Sequence, residues 1–189
     1  AIAYAFSYFF SPVNGAFDSI LEALHLGGLS RNWLSDPKIV NFVLAFVSLW
    51  KFSGYHIVLF IAALQSVPKD IVEAANVDGA NAFQIFRYIQ VPSISLVLDF
   101  ILFYNIRGAL QVFDIPFVMT QGGPGYASST FTLYTIKTAF TFNNFGLAST
   151  MAVAIMILIV IIYVVQNRVL HIGKPKPQKV LKIRRKGGK

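Results

Sequence analysis

Charged residues are scarce in this chain, and cysteine is absent altogether. Asp, Glu, Lys and Arg make up 13% of the 189 residues, against about 25% in an average soluble domain. Without cysteine there can be no disulfide framework, thiolate nucleophile or cysteine-ligated metal site. The hydrophobic fraction is 56% and the mean hydropathy +0.62, which indicates that lipid is the solvent of most of the chain.

The short motifs that usually carry enzyme chemistry are also missing. The sequence has no phosphate-binding glycine-rich loop of the Walker type, no nucleophile elbow and no metal-binding histidine pair. The eight acidic residues are spread singly, and His25, His56 and His171 are too scattered to suggest a metal site. The absence of these motifs therefore argues against a membrane enzyme. We predict no catalytic residues, no metal and no cofactor bound by this chain.

Three apolar segments are each long enough to cross a bilayer, and they cover about residues 39–64, 93–113 and 146–165. We therefore predict an all-α membrane protein, a bundle of transmembrane helices over residues 1–168 followed by a basic tail at 169–189. The chain does not begin with Met, and its first apolar run is about half the length of a crossing. We expect that earlier spans of the membrane domain are missing.

The positive charge is concentrated at one end, because nine of the 16 Lys and Arg residues lie from Arg168 to the C-terminus. By the positive-inside rule this end is cytoplasmic, where it can touch anionic lipid; a nucleic-acid partner is not expected. Counting back along the spans places residues 65–92 inside, and residues 11–38 and 114–145 outside. An interfacial helix is expected within residues 11–29, and a turn at 121–125.

The inner loop at residues 66–92 has the pattern of two short helices. Ser66 can cap the first, Gly79 supplies a sharp change of direction, and Asp78 can cap a second helix that ends before Pro92. Connections within helix bundles usually need only about 2 to 8 residues, so this loop predicts a binding partner in the cytoplasm. The second helix is expected to pack back against the bundle through Phe83, Phe86 and Ile89.

The loop also carries a specific motif: E-A-A, three residues, G, nine further residues, and then I-x-V-P. This pattern resembles the EAA loop of binding-protein-dependent ABC importer permeases, and its extended form is similar to the maltose-type carbohydrate transporter family. The stretches W-L-S-D-P at 33–37 and V-M-T-Q-G-G-P at 118–124 match the same family in the same order. The loop residues to which the resemblance assigns ATPase coupling are Glu73, Ala74, Ala75, Asp78, Gly79, Ile89 and Pro92.

The resemblance implies a permease subunit of a bacterial or archaeal cell (inner) membrane that carries a sugar or polyol. It implies a separate pair of ABC ATPase subunits that use ATP and receive the EAA loop in a cleft. It further implies a second permease subunit and an extracytoplasmic solute-binding protein that touches the two outer segments.

Polar residues inside the spans suggest a pathway. A Lys near the middle of a span costs roughly 2.5 to 3.5 kcal/mol on insertion scales, so Lys51 needs a polar environment or a partner. Alternatively, these side chains bond to neighbouring helices, or Lys51 and Asp99 neutralise other subunits. A helical scaffold or channel without ATP coupling would also tolerate polar residues in its spans. It would not explain why the loop contains a turn residue and helix-ending residues between Glu73 and Pro92. The predicted pathway residues are Ser48, Lys51, Tyr55, Tyr104, Asn105 and Gln111.

Overall fold

A computed structural model describes residues 1–13 and 15–169, so the predicted tail lies outside the described residues apart from Val169. Within this part of the chain every regular element is a helix, as predicted. The α-helices are, in chain order, α1 Ile2–Phe9, α2 Ala16–Ala23, α3 Val40–Gln65, α4 Lys69–Val77, α5 Ala82–Ile85, α6 Val91–Ser93, α7 Ser95–Leu110, α8 Asp114–Met119, α9 Phe131–Phe140 and α10 Phe145–Val169.

Three helical stretches are long and apolar enough to cross a membrane: Val40–Gln65, Ser95–Met119 and Phe145–Arg168. Their number and approximate positions match the three apolar segments expected from the sequence. Most of their surface is uncovered in the single chain; Met156 and Val160, for example, are 58% and 55% exposed. Such apolar surface is what helices present to lipid or to neighbouring membrane subunits.

The second span extends beyond its predicted end at residue 113, because the stretch runs from Ser95 to Met119 with an interruption. Helix α7 ends at Leu110, residues 111–113 are not helical, and the chain becomes helical again in α8. Pro116 fits in the first turn of α8, where its missing N–H is not needed. A break inside a span leaves backbone carbonyls without partners, which is tolerated only where neighbouring groups bond to them.

The start of α9 supplies these partners. The Thr130 hydroxyl donates a 2.7 Å hydrogen bond to the carbonyl of Val112, and the Thr132 hydroxyl lies 3.4 Å from that of Leu110. Thr130 is also the N-cap of α9, since its oxygen accepts from the Leu133 N–H at 3.2 Å. One side chain thus stabilises both the break and the following helix.

Replacing Thr130 by valine removes both hydrogen bonds with little change in shape. We expect the variant to be less stable by about 1 to 2 kcal/mol, measured as a lower midpoint of thermal unfolding in detergent. Thr135→Val is the matched control, because the Thr135 hydroxyl bonds, within the described part of the chain, only to the Phe131 carbonyl of its own helix. Equal midpoints for the two variants would contradict the role of Thr130.

Two apolar cores hold the described residues together. At one end of α3, the buried Val40, Val43 and Val47 pack against Phe10 after α1 and Ile115 in α8. At the other end, a smaller core holds the start of α7 against the end of α3; its buried members are Ala63, Val67 and Ile94. The chain between α1 and α3 forms α2 and a 3₁₀ turn at Gly27–Leu29, a shorter helix than the interfacial segment expected at 11–29.

Candidate functional site: a two-helix loop and a polar groove

The loop between the first two spans forms two helices that meet at a tight turn. Gly79 lies in this turn with a φ of +83°, in the left-handed region that favours glycine. The second helix, α5, is capped by Asn81, whose side chain accepts from the Gln84 N–H at 2.9 Å while the Gln84 side chain accepts from the Asn81 N–H at 2.8 Å. This reciprocal arrangement is a capping box.

The predicted helix caps are wrong in detail. Asp78 is the C-cap of α4 and has helical backbone angles, whereas an N-cap needs an extended backbone. Ser66 ends α3 instead of starting α4, and its hydroxyl donates a 2.6 Å hydrogen bond to the Ala63 carbonyl. Helix α4 begins at Lys69, directly after Pro68.

The prediction that the second helix stops before Pro92 is also wrong. The chain continues from α5 through a π-helical turn at Phe86–Gln90 into α6, and only a turn at Ile94 separates it from α7. A π-turn shifts the backbone hydrogen bonds by one residue, which accommodates a proline without an N–H. The loop is consequently almost continuous with the second span.

The residues that resemble the EAA motif are distributed over both sides of the loop. Glu73, Ala74, Asp78, Gly79 and Pro92 are exposed, whereas Ala75 and Ile89 are half-buried. Ile89 packs against the core of Ala63, Val67 and Ile94. The loop therefore has an outer face that is free in this chain and an inner face attached to the first two spans.

The aromatic residues expected on the inner face lie on the outer one. Phe83 is 71% exposed and Phe86 47% exposed, so the prediction that they pack against the bundle is wrong. Ile85 is buried instead, and Ile89 follows it by four residues on the same side of the helix. The two phenylalanines, together with Val77 at 88% exposure, give the outer face an apolar character.

A groove of about 1020 Å³ lies between α3 and α7. Four of the six predicted pathway residues line it: Ser48, Tyr104, Asn105 and Gln111. Lys51 and Tyr55 are outside the lining, although the Tyr55 ring lies 6.1 Å from that of Tyr104. On α3, Ser48, Phe52 and His56 line the groove, and they are spaced four residues apart on one face of the helix. Lys51 and Tyr55 each precede one of these residues by one position, so they lie beside that face.

Lys51 has a partner within the chain. Its ammonium group forms an ion pair and hydrogen bond with the Asp114 carboxylate at the start of α8, and Asp114 lines the groove. The Lys51 nitrogen also lies 4.9 Å from the centre of the Phe52 ring. Asp114 was not among the predicted site residues, and the only signal for it was its charge at the end of an apolar segment.

His56 is a second groove residue that the sequence did not indicate. Its Nε2 accepts a 2.9 Å hydrogen bond from the Asn105 amide, and its Nδ1 lies 2.8 Å from the Phe52 carbonyl, to which it donates. This pattern matches the neutral imidazole, with one donor and one acceptor nitrogen. His56 and Asn105 therefore connect α3 and α7 across the groove.

The segment that follows α8 folds back onto the groove. It turns at residues 121–125, as predicted, with Gly122 at a φ of +85°. The Ser128 hydroxyl bridges the Thr120 hydroxyl at 2.7 Å and the Gly123 carbonyl at 2.5 Å, and Ser128 lines the groove. The side chain of Asn41 in α3 bonds to the Ala127 carbonyl at 3.0 Å. The turn is thus attached to the first span.

The described residues contain no group of three or more His, Asp or Glu side chains that could hold a metal ion. Asp99, noted in the sequence as a charge within the second span, does not line the groove. Its backbone carbonyl accepts a 2.9 Å hydrogen bond from the Gln166 side chain of α10.

The sequence of this helical chain matches that of known membrane transport proteins. Residues 1–171 match the family described as "Binding-protein-dependent transport system inner membrane component". The chain belongs to this family. This permease is 34% identical over 173 residues to "Probable ABC transporter permease protein YurN" of Bacillus subtilis, covering 92% of this chain and 59% of the relative.

A second relative of the permease is "Trehalose/maltose transport system permease protein MalF" of Thermococcus litoralis, which is 32% identical over 168 residues, 89% of this chain and 54% of the relative. The chain thus spans between half and three fifths of the length of these relatives. Family members are transport components, so the prediction that the chain is not an enzyme is confirmed.

The fold has a close match among solved structures. A chain of a bacterial alginate ABC transporter, in complex with a periplasmic protein that binds an alginate pentasaccharide, superposes with a TM-score of 0.79. The identity is 20%, and the match covers 88% of this permease and 58% of that chain. The likeness shows that the bundle is an ABC permease fold. The roles of individual loop and groove residues stay predictions.

Proposed function

We propose that this permease forms part of the translocation pathway of an ABC importer for a sugar or related polyol, and that residues 66–92 couple it to a separate ATPase. The observation that carries the proposal is the structure of the loop. Its outer face presents Glu73, Asp78 and Gly79, and its second helix continues almost without interruption into α7.

The loop is mechanically connected to both walls of the groove. It leads directly into α7, which carries Tyr104 and Asn105, and its Ile89 packs against the core that includes Ala63 near the end of α3. A displacement of the loop by a closing ATPase dimer therefore moves the two helices that line the groove. Packed helices transmit such movements as rigid bodies, because protein interiors are dense.

The groove has the chemistry of a saccharide pathway. Hydroxyl, amide and aromatic side chains are the groups that bind polyhydroxylated ligands, and the groove contains Ser48, Tyr104, Asn105 and Gln111. The Thermococcus relative is described as a trehalose/maltose permease, which supports a saccharide as the substrate class here.

The proposed partners follow from the open surfaces. A second permease subunit would cover the open side of the groove, ABC ATPase subunits would bind the loop, and an extracytoplasmic solute-binding protein would bind the opposite face of the membrane domain. The binding protein in the alginate transporter complex supports the last of these. We propose that in this arrangement the C-terminus lies in the cytoplasm of a bacterial or archaeal cell.

The first test is purification of the full-length protein in mild detergent, followed by mass spectrometry of the subunits that accompany it. We expect an ABC ATPase with the unmodified protein and its loss after Glu73→Lys, because reversing an exposed charge on the loop opposes docking. Glu22→Lys, a charge reversal at another exposed position in α2, should retain the ATPase. Recovery of the unmodified chain alone, or full retention after Glu73→Lys, would contradict the proposal.

A further inference from the structure

The groove contains a cation that neutral saccharides do not require. Arg107 lies in α7 one turn beyond Tyr104 and lines the groove with an exposed side chain. It lies in the last turn of α7, three residues before that helix ends at Leu110, and inside the stretch Ser95–Met119 that is long and apolar enough to cross a membrane. An Arg within a span is costly and is usually retained for a functional partner.

The described residues do not neutralise this charge. The Nε of Arg107 donates a 3.1 Å hydrogen bond to the Gln111 amide oxygen, and no described residue bonds to the two terminal nitrogens. The carboxylate that lines the groove, Asp114, is already paired with Lys51. His56 is engaged through both ring nitrogens. The groove therefore has one positive charge in excess.

We propose that the groove binds an anionic saccharide and that Arg107 is the residue that recognises its acidic group. This inference rests on the proposed transport function and narrows it to a substrate class. The two terminal nitrogens of a guanidinium match the two oxygens of a carboxylate, which gives charge-assisted hydrogen bonds in a fixed geometry. Tyr104, Asn105 and Gln111 lie within two turns of Arg107 and can bind the hydroxyl groups of the same ligand.

The geometry separates this role from that of Lys51. Lys51 is outside the groove lining, and its ammonium group is taken by Asp114, so it holds two parts of the chain together. Among the described residues, Arg107 is held only by a neutral amide on its own helix, at the i+4 position. Such a bond orients the guanidinium without removing its charge.

The test uses the full-length protein assembled with its ATPase, second permease and solute-binding protein in proteoliposomes. The probes are short oligosaccharides of hexuronic acid and their methyl esters, which have the same shape without the charge. We expect uptake of the acids and little uptake of the esters. Arg107→Gln should lower uptake of the acids by about tenfold or more at limiting substrate, and Arg107→Lys should retain part of it.

The matched control is Arg168→Gln, which removes the same charge at the end of α10, away from the groove, and should leave uptake unchanged. Uptake of the esters or of other neutral saccharides without the acids would overturn the inference and leave the transport proposal intact. Loss of the second permease from the Arg107→Gln complex would also overturn it, because Arg107 would then pair with that subunit. Failure to take up any saccharide would count against the transport proposal itself.

Discussion

Replacing Gly79 by valine is expected to abolish uptake while leaving the protein in the membrane. Gly79 has a φ of +83°, which costs a non-glycine residue about 1 to 2 kcal/mol and a β-branched one more. An added Cβ would meet no atom within 4 Å, so the effect comes from backbone strain and not from a clash. Relief of that strain changes the angle between α4 and α5, and hence the surface offered to the ATPase.

The measurements are uptake by cells and the amount of protein in the membrane fraction. Gly79→Asn is the control, because asparagine tolerates the left-handed region far better than valine does. We expect it to keep most of the uptake. Wild-type uptake by Gly79→Val would show that the angle of the loop is not important for coupling.

Replacing Lys51 by methionine is expected to lower both stability and transport. The substitution keeps the length of the side chain but leaves the Asp114 carboxylate without its cation. Removing one partner of a charged hydrogen bond costs about 1.5 to 3 kcal/mol when the pair is buried, and we expect less here because the Asp114 side chain is 57% exposed and remains screened by water. Asp114→Asn should have a similar effect, since it leaves the Lys51 charge unpaired within the span.

The exchange of the two charges distinguishes an ion pair from two separate roles. Lys51→Asp combined with Asp114→Lys should recover part of the thermal stability lost in the single variants, because the pair is restored in reverse. Lys38→Met is the control, as Lys38 is exposed and outside the spans. Additive losses in the double variant would show that the two residues act independently.

The ion pair has a mechanical consequence for the groove. Asp114 is the first residue of α8, and α8 packs on α3 through Ile115 and Met119. Lys51 lies 14 residues from the end of α3, about 21 Å along the helix. The pair therefore holds α8, the part of the second span after the break, against the middle of α3. It thereby keeps α8 and the following turn at one end of the groove.

The three spans, the all-α fold and the two-helix form of the loop could be predicted from the sequence. A bilayer demands about 20 apolar residues in a row with every backbone group bonded within a helix, so span positions are visible as composition. Gly79 marks the turn of the loop because few other residues adopt a positive φ. The resemblance of the loop to the EAA motif could be recognised from the order and spacing of its residues alone.

Other features depended on contacts between distant segments, and only the tertiary structure decided them. The partner of Lys51 is 63 positions away, and that of His56 is 49 positions away. The break at residues 111–113 is possible because Thr130, from another helix, bonds to the freed carbonyl of Val112. The sequence by itself determined which three segments are long and apolar enough to cross a membrane. Helix packing decided which polar side chains share the groove, because the rotation of one span against another is not encoded in the apolar pattern of either.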